Sequence, residues 1–249
     1  MWHVRKGLYT AIAGARPSGT TALLEDIVVP IDRLLVTCER LTALFDTHGY
    51  EGNVIFGHAK DGNLHFMLNE RFDDPASLIR YRAFTEDLVE LVLDQGGSLE
   101  AENGTGRIMA PFVRRQYGVV LYGMMVEIKR LFDPRGLLNA GVLLTEDPDS
   151  YLHNLKVVPR VESEVDRCVE CGYCEPSCPS KDITLTPRQR IALRRDIANA
   201  EQAGQTGLVA ELSSAYEYDG VQTCAVAGLC AIACPVDINT GDLVRRLRA

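Results

Sequence analysis

Apolar residues recur at helical spacing early in the chain. Ile31, Leu34, Leu35, Cys38, Leu41 and Phe45 share one stripe, and Gly49 closes that helix. Val54, Ile55 and Phe56 read as extended, and Leu64, Phe66 and Leu68 alternate as in a half-buried strand. Between them lies a polar turn from His58 to Asn63, marked by Asp61-Gly62. A helix is predicted over Pro75 to Asp94, stopped by Gly96-Gly97, and another over Tyr117 to Phe132, stopped before Asp133-Pro134. This part predicts an α+β fold, an antiparallel sheet with packed helices.

The character then changes. Glu146 to Arg167 is charged and aperiodic. Thr186 caps a helix that opens on Pro187 and runs to about Gln202. Shorter helices follow near Leu208 to Tyr216 and from Thr240. The expected division is 1–150 as the α+β domain, 151–166 as a linker and 167–249 as an all-helical domain.

Composition narrows the function. The net charge of −8 argues against binding a nucleic-acid backbone. No apolar run approaches the roughly eighteen residues of a membrane span, and Met1 to Thr10 lacks the apolar core of a secretory signal. A cytoplasmic chain is expected, with peripheral contact to the inner face of the membrane left open. All of the eight cysteines except Cys38 fall between Cys168 and Cys234, so they read as metal ligands in a reducing compartment rather than disulfides. Cys38, on an apolar helical face, reads as a buried inert thiol.

Cys168, Cys171, Cys174 and Cys178 follow C-x2-C-x2-C-x3-C, with Pro179 next. In two-cluster ferredoxins the fourth cysteine of this run ligates the other cluster. Cys224, Cys230, Cys234 and Pro235 repeat the frame, with Ala227 in place of one cysteine. Cys168, Cys171, Cys174 and Cys234 are therefore expected around one 4Fe-4S cluster, and Cys178, Cys224 and Cys230 around a second. Alanine does not ligate, so the second is expected as a 3Fe-4S or an incompletely ligated 4Fe-4S centre. Zinc fits two reciprocal runs ending in Cys-Pro poorly.

His58 and His65 flank the Asp61-Gly62 turn, and Glu102 lies in a glycine-rich segment, Gly96 to Arg107. A two-histidine, one-carboxylate set suits a divalent Lewis acid. Spacing alone leaves two unconnected loop histidines as the alternative.

The helix-rich stretch between Cys178 and Cys224 resembles the α-helical ferredoxin unit of respiratory and glycolate-oxidase-type complexes. The runs G-H-x-x-D-G-N-L-H from Gly57, G-S-L-x-A-E-x-G-T-G-R from Gly97 and D-P-x-G-L-L-N from Asp133 closely resemble the FAD-linked oxidase C-terminal (cap) domain of D-lactate, glycolate and D-2-hydroxyglutarate dehydrogenases. The resemblance implies that His58, His65 and Glu102 hold a divalent metal (zinc, manganese or iron) that contacts the hydroxyl and carboxylate of a 2-hydroxy acid. It implies that Arg5 pairs with the substrate carboxylate, the alternative being an exposed arginine. It also implies that Asn139 approaches the flavin, the alternative being a turn or helix-cap role.

Two positions depart from the family pattern. Asn103 stands where the family has the histidine that takes the hydroxyl proton, and a neutral amide is no general base. Ala227 stands where related chains often carry aspartate. No flavin phosphate-binding loop is found, since Gly104-Thr105-Gly106 is too short for one. The chain is expected to begin inside the cap, after its first strands. FAD is then expected to be held mainly by a missing domain or a partner subunit. The downstream electron acceptor would be a cysteine-rich domain, a quinone or a cytochrome. The expected function is part of a flavin-dependent 2-hydroxyacid dehydrogenase passing electrons from FAD to iron–sulfur clusters. The alternatives are an electron-transfer module with an impaired cap, and a truncated frame that folds poorly.

Overall fold

The computed structural model describes residues 2–104 and 106–249, with side chains from residue 7 onward. In chain order the elements are α1 (Trp2–Gly14), β1 (Thr21–Val28), α2 (Leu34–Thr47), β2 (Val54–His58), β3 (Asn63–Glu70), α3 (Pro75–Asp94) and α4 (Val113–Phe132). After them come α5 (Ser163–Arg167), α6 (Pro187–Gln202), α7 (Thr206–Tyr216), α8 (Leu229–Ala233) and α9 (Thr240–Arg248). Contacts divide the chain into two compact units, one of Ala22–Lys156 and one of Met1–Thr21 with Val157–Ala249. By these contacts the first residues of the chain group with the cysteine-rich part.

In the unit of Ala22–Lys156 the sheet order is β1-β3-β2, with β2 and β3 antiparallel. Strand β3 is central, so it is buried on both faces at all but Asn69, and the half-buried alternation expected there does not hold. The aromatic core joins Phe45 of α2, Phe66 of β3 and Phe84 of α3, with ring centroids 5.7 to 6.2 Å apart. Helix α3 begins where its sequence directs: Asp74 accepts from the Ala76 and Ser77 amides, and Pro75 supplies the first helical φ.

Helix α2 buries Thr37, Leu41 and Phe45, spaced one turn apart. Ile31 and Leu35 of the expected stripe are exposed, and Cys38 is half-buried rather than buried. Helix α4 starts earlier than expected and is broken at Gly118, whose φ of 76° and ψ of 170° are not helical. Tyr151 is buried, with its ring 5.2 Å from Phe112, and Val158 and Val165 are buried too.

The other unit is helical, around a core of Val165, Ile191, Ile238 and Leu243, with Cys168 and Cys234 packed against it. Helix α6 carries a full capping box. The Thr186 hydroxyl accepts from the Gln189 amide, and the Gln189 side chain accepts from the Thr186 amide. Arg16, just past α1, donates to the carbonyls of Asp166 (2.8 Å) and Cys168 (3.1 Å), which ties the first residues to the first cysteine loop. Among the described residues no helix is long and apolar enough to cross a membrane.

Candidate functional site: a His–His–Glu cluster and two thiol-lined cavities

The turn from β2 to β3 sets the two histidines. His58 opposes Asn63 in the register, and His65 lies two residues farther along β3, so both rings project from one face as a diagonal pair. Their centroids are 5.6 Å apart. Gly62 makes the turn possible. Its φ is 69°, and a Cβ there would sit 2.0 Å from the Val29 carbonyl oxygen. Glu102 reaches across to both imidazoles, Oε2 at 3.3 Å from His58 Nε2 and Oε1 at 3.2 Å from His65 Nε2. The three side chains offer ligand atoms all within 4.8 Å of one another. Bonds of about 2.0–2.2 Å to a tetrahedral cation leave neighbouring ligand atoms roughly 3.4 Å apart, so this donor set fits a divalent ion.

Asp26 of β1, which sequence reasoning missed, builds the site from below. Its Oδ2 accepts from the backbone amides of Ala101 (3.1 Å), Glu102 (2.6 Å) and Asn103 (2.9 Å). Its Oδ1 accepts from Asn63 Nδ2 at 2.5 Å and lies 3.3 Å from His65 Nδ1. That last pair is within ion-pair range but lacks the alignment of a hydrogen bond. One carboxylate therefore holds the Glu102 loop and sits behind the inner histidine, the position from which a second layer orients a metal-binding imidazole. A lone aspartate inside a strand gives no motif, so only its buried geometry reveals it.

Neighbouring Glu25 is also buried. Burial, with Glu100 and Asp26 nearby, pushes its carboxyl up to about 8. Asn103 is exposed, its backbone amide taken by Asp26. Asn139 is not brought to the histidines by any described contact. It is exposed in the loop after α4, with φ 47°, and its carbonyl accepts from the Val142 amide. Asp133 builds that loop, accepting from the Leu137 and Leu138 amides and from Lys129 Nζ, and these bonds, Lys129 first, lower its carboxyl to about 2. The Arg5 side chain lies outside the described residues.

In the helical unit, Cys168, Cys171, Cys174 and Cys234 line one cavity. Cys178, Cys224 and Cys230 line another, together with Ala227, Val226, Gly228 and Arg190. All are free thiols. Desolvation raises the Cys168 thiol and pushes Cys174 up to about 12, so loading a metal centre here must displace protons. Each Cys-Pro cysteine sits in the other run's cavity, as the reciprocal frame requires. Four soft donors around one space and three around the other fit thiolate-bound iron–sulfur centres, and exposed Ala227, which lines the second space, offers no ligand.

Known families match both parts of the chain. Residues 164–238 match a 4Fe-4S dicluster domain. The chain is 28% identical over 146 residues to the glycolate oxidase subunit GlcD of Bacillus subtilis, covering 57% of this chain and 30% of that protein. It is 29% identical over 196 residues to the D-2-hydroxyglutarate dehydrogenase of Escherichia coli, covering 69% of this chain and 19% of that protein. It is also 27% identical over 146 residues to the mitochondrial cytochrome-linked D-lactate dehydrogenase of Arabidopsis thaliana, covering 58% of this chain and 25% of that one. The chain thus spans less than a third of the length of each of these relatives. Residues 1–143 match the family described as FAD linked oxidases, C-terminal domain, and the chain belongs to that family, with a 4Fe-4S dicluster domain following on the same polypeptide.

Proposed function

We propose that this chain is the substrate-metal and electron-relay portion of a flavin-dependent 2-hydroxyacid dehydrogenase. The observation that carries the reading is the pairing, on one polypeptide, of a His58–His65–Glu102 cluster with two thiol-lined cavities. His58, His65 and Glu102 would hold a divalent cation, zinc, manganese or iron. When bound, such a cation polarises a substrate hydroxyl and anchors a carboxylate. Asp26 keeps the Glu102 loop in place and backs His65. Cys168, Cys171, Cys174 and Cys234 would ligate a 4Fe-4S cluster. Cys178, Cys224 and Cys230 would ligate a second centre that lacks one protein ligand at Ala227. FAD would be held mainly by a flavin-domain segment or subunit, with Asn139 as its candidate contact on this chain. The clusters would pass electrons to a cysteine-rich domain, quinone or cytochrome.

The chain, combined with its flavin-bearing portion, is to be assayed with D-lactate, glycolate and D-2-hydroxyglutarate and an artificial acceptor. Turnover of one acid, abolished by His65→Ala and Glu102→Gln, is expected. Absence of turnover with all three rejects the enzymatic reading.

Asn103 favours a second reading, an electron-transfer module whose cap has lost its proton acceptor. It predicts reducible clusters without acid oxidation, and activity that appears on Asn103→His.

A further inference from the structure

Helix α6 carries four arginines, Arg188, Arg190, Arg194 and Arg195. Three have carboxylate partners: Arg188 pairs with Glu175 at 2.9 Å, Arg194 with Glu162 and Arg195 with Glu170. Arg190 is the most deeply buried of the four, 1% exposed, and among the described residues no carboxylate lies within ion-pair distance of it. Its Nε donates to the Gly220 carbonyl at 2.7 Å, and one terminal nitrogen donates to the Thr223 hydroxyl at 3.3 Å. The other terminal nitrogen is 3.8 Å from Cys178 Sγ, and the side chain lines the three-cysteine cavity.

A guanidinium stays charged in any protein environment, and burying a cation without a counter-charge is strongly unfavourable. Carbonyl and hydroxyl dipoles answer part of that cost. Among the described residues the geometry offers no other group of the opposite sign, so the counter-charge falls to whatever occupies the thiolate cavity. An iron–sulfur centre with thiolate ligands is anionic, and becomes more so by one charge when it takes an electron. A fixed positive charge at hydrogen-bonding range favours the reduced form.

We propose that Arg190 is the resident counter-charge of the second iron–sulfur centre and raises its reduction potential relative to a neutral residue at that position. The step it biases is a one-electron reduction, the electron coming from the reduced flavin. No bond is made or broken, and Arg190 keeps its proton. The first centre is set differently: Arg195 and Arg16 bond to the Cys168 carbonyl, and Arg195 is already neutralised by Glu170. Arg190 is thus a positioning and potential-setting residue for the second centre alone.

This rests on the reading that both cavities hold iron–sulfur centres. The test uses the complete chain loaded anaerobically with iron and sulfide and titrated potentiometrically under electron paramagnetic resonance. Arg190→Gln is expected to shift the second centre's oxidised-to-reduced ratio at least tenfold toward oxidised, about 59 mV for one electron. Arg190→Lys is expected to restore most of that shift, and the first centre is to stay unmoved in both. Equal shifts in the Gln and Lys variants, or none in either, overturn the proposal. If Arg190→Gln leaves the second site without iron, the Lys variant decides. Retention of iron there supports the counter-charge, and loss in both variants overturns it. A wild-type chain that takes up no iron refutes the cluster reading itself, a result distinct from either.

Discussion

At the scale of single residues, two adjacent carboxylates of β1 have opposite duties. Asp26 accepts four hydrogen bonds and is the fixed acceptor on which the Glu102 loop hangs. Asp26→Ala is expected to weaken divalent-metal binding by about 10- to 100-fold, read by competition with a chelating dye. Glu25 accepts no such set, and its Oε1 is buried without a hydrogen-bond partner. Its carboxyl titrates near 8 in the fold and, when unfolded, near the ordinary value of 4.5. Between those values the unfolded chain releases a proton that the folded chain retains, so stability falls as pH rises from about 4.5 to 8. Glu25→Gln removes this dependence. Thermal melts are expected to show a larger gain in Tm at pH 8 than at pH 5. These two carboxylates also explain why β1 escaped sequence reading: Glu25 and Asp26 oppose strand propensity and interrupt the apolar run of Leu23, Leu24, Ile27 and Val28, which has no period-2 alternation. The cysteines were legible because their short spacing and the Cys-Pro pairs are themselves the chemistry, whereas the His58, His65 and Glu102 set could be singled out only through the family resemblance, spacing alone leaving two loop histidines. Asp26 and Arg190 were not legible, because each acts through three-dimensional position alone.

At the scale of elements, the readable helices were those with local start and stop signals. Pro75–Asp94 and Pro187–Gln202 both follow a side chain that caps the first turn and a proline at the first helical position. Helix α1 offers neither signal, and it was not anticipated. Helix α6 depends on its cap in a second way, since the Thr186 hydroxyl also donates to Glu175 at 2.8 Å. Thr186→Ala is expected to cost about 1–2 kcal/mol in chemical denaturation of the helical unit. The β2–β3 turn is the other sensitive element. Gly62→Ala would set a methyl against the Val29 carbonyl at a left-handed φ, a loss of about 1–3 kcal/mol. Weaker metal binding is expected with it, because the same turn aligns His58 with His65.

At the scale of the whole molecule, the two sites ask different things of the chain. The His–His–Glu cluster lies wholly within residues 22–156, and the thiol cavities within the other unit. Ala227 lines the second cavity, is exposed and offers no ligand atom. Ala227→Cys is expected to slow iron release from that centre to a chelator and to leave the first centre's release rate unchanged.

The path of the backbone has a practical consequence. Because residues 2–21 group by contacts with Val157–Ala249, the polypeptide passes between the two units twice. A single protease cut near residue 157 would leave the pieces held by the Arg16 grip on the Cys168 loop. An excised redox fragment begun at that point would forfeit those two bonds, so a minimal one should splice residues 2–21 onto 157–249.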